Sequence, residues 1–319
     1  MRDIRVAAAQ FEYRNADKAY NLARIRELTR VAAERGAEVV SFPECCIPAY
    51  SFVQSLSKDE LLELAEPVPD GLSVRALRDV SREFGVAVLA GLFERDGDDV
   101  FNTYVCVDGG EFLAKHRKIH AFVSPHLSSG SEFTLFELRG CPCGVLICYD
   151  NNLPENVRIT ALMGAEIIFM PHVTGCLPSV MPGRGTVDPQ LWANRESDPV
   201  PLRMEFAGPK GRGWLMRWLP VRAYENGVYA VFTNPIGMDD GEVRNGNAMI
   251  LDPFGEVIAE CTALGDDVVV GLCTAEKTAI SSGRRYLRAR RPELYGKLVE
   301  PPDEPPITAP GWRLRGGDV

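Results

Sequence analysis

Three segments of this chain recur in the same order further along it, and no other sequence feature constrains the fold as tightly. Gly36-Ala37-Glu38-Val39-Val40-Ser41-Phe42-Pro43-Glu44 parallels Gly164-Ala165-Glu166-Ile167-Ile168-Phe169-Met170-Pro171-His172. Glu83-Phe84-Gly85-Val86 through Leu89 parallels Glu225-Asn226-Gly227-Val228 through Val231. Asn102 through Asp108 to Gly110-Glu111 and Ala114 then parallels Asn247 through Asp252 to Gly255-Glu256 and Ala259. Each half reads as strand, helix, strand, helix, strand and a hairpin.

The strand segments 4–10, 37–42 and 86–92 are near-continuous apolar runs, as expected of sheets covered on both faces. Asn15-Ala16-Asp17 opens a first helix whose Leu22, Ile25, Leu28 and Val31 share a face. Two helix-covered sheets can bury their remaining faces against each other. The expectation is a four-layer αββα sandwich, an α/β fold of two similar halves, forming one domain over 1–283. The halves diverge at 176–216, a Pro-, Gly-, Arg- and Trp-rich insertion without periodicity. Loops of that length are usually functional or disordered. Residues 284–319 read as an arm, extended from Pro292 on, at a subunit contact.

The net charge of −9 argues against a nucleic-acid partner, and no apolar run approaches the length of a membrane span. Nine cysteines without a disulfide spacing, and no export signal, fit reduced thiols in the cytoplasm. The four histidines are scattered and Cys141-Pro142-Cys143 has no matching pair, so neither metal nor cofactor is expected. A G-x-S-x-G elbow, a P-loop and a G-x-G-x-x-G motif are all missing from the sequence.

The chemistry-bearing residues stand at strand ends. Gly144-Val145-Leu146-Ile147-Cys148 reads as a buried strand ending in a thiol, and Pro154 opens a helix shortly after. Such a thiol is either a buried structural cysteine or a nucleophile beside backbone N–H groups that favour an oxyanion. Glu44 ends another apolar strand, as a general base or as a salt-bridged side chain. Lys115-His116-Arg117-Lys118 supplies cations after the first half's last strand.

Together these segments resemble the nitrilase, or carbon–nitrogen hydrolase, superfamily, over about residues 4–270. The match lies in Val6-Ala7-Ala8-Ala9-Gln10, Phe42-Pro43-Glu44, Lys115 to Lys118, Gly144 to Asp150 and Pro154-Glu155-Asn156-Val157-Arg158. The resemblance implies a catalytic set of Glu44 as base, Lys118 as cationic stabiliser and Cys148 as nucleophile, with Lys115 the fallback lysine. It also implies a thioester intermediate, an oxyanion held by Lys118 and the Tyr149 N–H, a small-molecule substrate and a homodimer or larger assembly.

Two departures matter. A second glutamate, which many members carry shortly after the lysine, has no match before Glu132; His126 stands near its place. Tyr149-Asp150 after the cysteine looks more like amidases and carbamoylases than nitrilases, favouring amide or N-carbamoyl substrates. By repeat symmetry His172 is the counterpart of Glu44, and with Thr174 it is a substrate-pocket candidate. In the insertion, Arg184, Arg195, Arg203, Lys210 and Arg212 could hold a carboxylate and Trp192 and Trp214 could wall a pocket, unless the local acids neutralise the cations. Nitrile hydrolysis, acyl transfer through the same thioester, and a non-catalytic binding protein are the alternatives.

Overall fold

The computed structural model describes residues 1–301 and 303. In the first half, β1 (Ile4–Gln10), α1 (Lys18–Glu34), β2 (Val39–Ser41), α2 (Lys58–Leu64) and α3 (Leu72–Phe84) precede β3 (Ala87–Asp96), β4 (Asp99–Asp108), β5 (Glu111–Arg117) and the short β6 (Leu127–Ser128). The second half runs β7 (Thr134–Leu138), β8 (Cys141–Val145), α4 (Pro154–Leu162) and β9 (Ile167–Pro171). Next come α5 (Pro189–Ala193), α6 (Pro199–Ala207), α7 (Arg212–Leu215), α8 (Leu219–Asn226) and β10 (Tyr229–Thr233). It closes with β11 (Ile236–Asp239), β12 (Glu242–Asn245), β13 (Met249–Leu251), β14 (Val257–Glu260), β15 (Asp267–Cys273), α9 (Ala275–Ile280) and α10 (Ser282–Arg288).

One sheet has the order β15-β1-β2-β3-β4-β5, with β6 beside β4; the other has β14-β13-β10-β9-β8-β7. The duplication is visible in the pairing. β2 lies parallel between β1 and β3, and β9 lies parallel between β8 and β10. β4-β5 and β13-β14 are the matching antiparallel hairpins.

Strand alternation sends each apolar run to two cores. Ile4, Val6 and Ala8 of β1 meet Ile167 and Phe169 of β9 and Val231 of β10 between the sheets. Ala7 and Ala9 face the other way, toward Ile25 and Leu28 of α1 and Leu77 of α3. Ile168, Met170 and Phe232 pack outward against Val157 and Ala161 of α4 and Leu219 of α8. Helix, sheet, sheet, helix is therefore the layer order, as the sequence led one to expect. Asp17 caps α1 by accepting from the Tyr20 N–H, and Leu22 and Val31 are half-buried at the edge of its packed face.

Two expectations are corrected. The 176–216 insertion is not an unstructured loop: it carries α5, α6 and α7 and a small core of its own. Val187, Trp192, Leu202 and Phe206 pack there against Ile236 and Val243 of the β11-β12 hairpin. Its helix starts are Asp188-Pro189 and Asp198-Pro199, proline at the first helical position in both cases, with Asp188 accepting from the Gln190 N–H. Nor is the stretch from Pro292 uniformly extended, since Pro292–Leu294 and Gly296–Val299 are single 3-10 turns. The rest of the expected arm lies outside the described residues.

Candidate active site

The site sits where β2, β5, β8 and β9 end, at the seam between the sheets. Beyond β2 the chain turns through Phe42-Pro43-Glu44-Cys45, with Cys45 at φ 43°. Gly91 on β3 makes room for the turn: a Cβ there would stand 2.2 Å from the Cys45 nitrogen. Glu44 is completely buried, and both its oxygens are engaged. Oε1 accepts from Lys118 Nζ at 2.7 Å and from Asn102 Nδ2 at 2.6 Å, while Oε2 accepts from the Val173 N–H at 3.1 Å.

Lys118 directly follows β5, its backbone N–H donating to the Asn102 carbonyl at 2.8 Å. Its buried ammonium also reaches the Tyr50 hydroxyl at 3.3 Å and lies 4.4 Å from the centre of the Phe122 ring. Burial works against that charge, but the Glu44 carboxylate outweighs it and holds the Lys118 pKa well above the ordinary value.

Cys148 follows β8 at φ 50°, a left-handed conformation that costs a non-glycine residue about 1–3 kcal/mol and is typically stored at functional sites. It opens a 3-10 turn, Cys148–Asn152, that separates it from α4, so the nucleophile stands at the start of that turn and not at the helix N-terminus opened by Pro154. The thiol lies 3.9 Å from the Val173 carbonyl. One residue thus touches the carboxylate through its N–H and the thiol through its C=O. Burial, then the Glu44 charge, push the Cys148 pKa up to about 12 against the opposing pull of Lys118.

Asp150 ties the nucleophile turn to the lysine segment. Its carboxylate accepts from the backbone N–H groups of Ile147 (3.1 Å) and His120 (2.9 Å) and pairs with His120 Nδ1 at 2.9 Å. His116 Nε2 stands 3.7 Å away, too far for a hydrogen bond. Burial opposes ionisation, yet the neighbouring His116 and His120 rings hold this carboxyl below the usual range.

The thiol opens into a cavity of about 800 Å³. Phe122, Tyr149, Val173 and Thr174 line its inner end, and Leu177, Pro178, Val180, Met181, Arg184 and Trp214 of the insertion line the remainder, with Glu242 from β12. Of the expected residues, Glu44, Lys118 and Cys148 come together, and Tyr149 and Thr174 line the cavity. Lys115 instead pairs with Glu94. His126 is half-buried and does not line the cavity, its N–H donating to Ser124 Oγ at 3.3 Å; Glu132 is exposed. His172 is buried behind the cavity wall, with Nδ1 2.9 Å from the Met170 carbonyl and its ring against Trp218 and Phe232. Burial lowers its pKa to about 3, so it is a neutral packing residue. Trp192 is likewise buried, in the insertion's own core.

Asn102, Tyr50 and the Val173 N–H were not legible as site members. Asn102 had one signal, a polar residue inside the apolar stretch Val100-Phe101-Asn102-Thr103-Tyr104. Among the described residues, no group of three or more His, Cys, Asp or Glu side chains is arranged to hold a metal ion.

The sequence profile of the carbon-nitrogen hydrolase family matches residues 5–279. An (R)-stereoselective amidase from a Pseudomonas species is 31% identical over 307 residues, covering 94% of this chain and 96% of that protein. A nitrilase from Pyrococcus abyssi is 28% identical, covering 92% and 99%, and an N-carbamoylputrescine amidase from Solanum lycopersicum is 27% identical, covering 93% and 95%. Among solved structures, the amidase from Nesterenkonia sp. AN1, with the acetamide moiety of fluoroacetamide added covalently at its active-site cysteine, superposes with a TM-score of 0.68. It is 22% identical, and the overlap covers 93% of this chain and 97% of that one, a likeness of fold.

Proposed function

The chain belongs to the carbon–nitrogen hydrolase family, and on that premise we propose that it hydrolyses a linear amide or N-carbamoyl bond of a small molecule through a Cys148 thioester. The observation that carries the reading is the Val173 bridge, whose N–H meets the Glu44 carboxylate and whose carbonyl meets the Cys148 thiol, with Lys118 paired to Glu44.

In the proposed sequence Glu44 takes the thiol proton as Sγ attacks the carbonyl carbon, and the C=O π pair moves onto oxygen. Lys118 and the Tyr149 N–H stabilise that oxyanion. The intermediate collapses, and the amine leaves with the proton that Glu44 carried. Water then gives a proton to Glu44 and attacks the thioester, and the departing thiolate recovers it. Tyr149-Asp150 after the nucleophile and the amidase relatives support amide over nitrile substrates.

Ammonia release measured across primary amides, N-carbamoyl amino acids, ureas and nitriles tests the reading. Turnover of amides or carbamoyl compounds that vanishes in C148A is expected. Turnover of nitriles alone would reject the substrate assignment, and activity surviving in C148A would reject the nucleophile.

A further inference from the structure

Resting on the amide-hydrolase reading, the cavity's cation content narrows the substrate further. Most cations of the 176–216 segment are committed elsewhere. Arg203 donates to the Thr262 carbonyl at 3.0 Å, Lys210 pairs with Glu205 at 2.8 Å and Arg212 pairs with Glu260 at 2.7 Å. Arg195 lies over the Trp192 ring and donates to that residue's own carbonyl. Arg184 differs, because it lines the same cavity as Cys148.

Its guanidinium carbon lies 3.8 Å from the centre of the Trp214 ring. Its Nε is buried without a hydrogen-bond partner, and among the described residues no carboxylate lies within ion-pair distance. Burial pushes its pKa below the usual range, and the nearby charge of Arg217 adds to that effect. Glu242, the cavity's own acid, has Oε2 committed to Arg244 Nη2 at 2.7 Å. A half-buried guanidinium held over an indole presents a planar fork of donors whose natural complement is a carboxylate. The cavity that holds both groups also carries Leu177, Val180 and Met181 on its wall, beside the small polar Ser179 and Thr174, and about 800 Å³ holds far more than a two-carbon amide.

We propose that Arg184 recognises a carboxylate at the far end of the substrate. The substrate class is then an amide or ureido compound whose apolar body separates the scissile group from a carboxylate.

The test uses matched pairs: glutaramic acid and 6-ureidohexanoic acid, each beside its methyl ester, with ammonia release giving kcat and KM. In the wild-type enzyme the acids should exceed the esters in kcat/KM by about 10- to 100-fold, the worth of a charge-assisted hydrogen bond. In R184Q that ratio should collapse toward one, mainly through a rise in KM for the acids, and R184K should restore part of it. Equal use of acid and ester by the wild type, or an R184Q effect that lowers both alike, would overturn the assignment. A binding arm separates this from the hydrolase reading. In C148A, Trp fluorescence should titrate with the two acids and not with their esters. Acid-selective binding without turnover by any variant supports the carboxylate subsite and rejects the hydrolase reading; equal binding of acid and ester rejects the subsite whatever the turnover.

Discussion

Cys148 is not stored as a thiolate. Burial and the Glu44 charge push the thiol well above its ordinary range, so the free anion is a minor form at neutral pH. Proton transfer to Glu44 therefore has to accompany attack, and the two charges beside the thiol act in opposite directions: Glu44 makes it a weaker acid, Lys118 a stronger one. Glu44→Gln should separate acidity from catalysis. It removes the carboxylate charge that raises the thiol pKa, so that pKa falls below the wild-type value. The same change removes the base and should lower kcat/KM by about 10²- to 10⁴-fold. Thiolate absorbance in the ultraviolet, taken as the difference from the matching C148S protein at about pH 9–10 where free thiols titrate, should be larger in E44Q than in the wild type. A thiol that becomes harder to ionise in E44Q would mean that the carboxylate does not control it.

One rank up, the site depends on how closely β3 approaches the turn after β2. A methyl group on Gly91 would meet the Cys45 nitrogen at 2.2 Å, and the atoms nearest it, of Glu44 and Cys45, are all backbone, so no side chain can swing aside. Gly91→Ala should cost about 1–3 kcal/mol of stability, as overpacking does. It should also lower kcat by moving Glu44, the residue before the obstructed nitrogen. Thermal unfolding and steady-state kinetics would check this, and wild-type behaviour in both would refute the close approach. The sequence revealed the repeated part of this architecture. The apolar runs and their duplication were readable, and with them the strand ends near Glu44 and Cys148, whereas which residues of Ile4 to Ala9 and Ile167 to Met170 face each core emerged only from the packed strands. Contacts set by register were not readable either. Asn102 reaches Glu44 because β4 pairs with β5 so that Thr103 stands opposite Arg117, and Val173, just beyond β9 in the nucleophile's own sheet, reaches across to Glu44 of the other sheet. His172 misled for the complementary reason: repeat symmetry places backbones, whereas the ring's packing on Phe232 depends on neighbours that the first half lacks. The insertion was misread because its helices are too short for periodicity to emerge, though Asp188-Pro189 and Asp198-Pro199 marked their starts.

For the whole molecule, the sandwich buries both inner sheet faces and leaves the outer helices to meet solvent or another copy. On α4 and its C-cap, Ile159, Leu162 and Met163 are 39%, 41% and 43% exposed, and on the adjacent α8, Val221 and Tyr224 are 44% and 41% exposed. Tyr224 reaches the Tyr286 hydroxyl of α10 at 3.1 Å, which joins the arginine-rich helix to the same outer face. Apolar side chains clustered on neighbouring helices are what a self-complementary two-fold contact needs, whereas scattered ones would need no explanation. A homodimer through α4 and α8 is expected, with a mass in solution of about 70 kDa against 35.1 kDa for the chain. Sedimentation or light scattering would measure it. Leu162→Glu together with Val221→Glu should give the monomer, while circular dichroism shows the fold retained, because these side chains contribute little to the chain's own core. A wild-type protein that sediments as a monomer at all accessible concentrations would remove the dimer. A glutamate variant that stays dimeric would move the contact to another face.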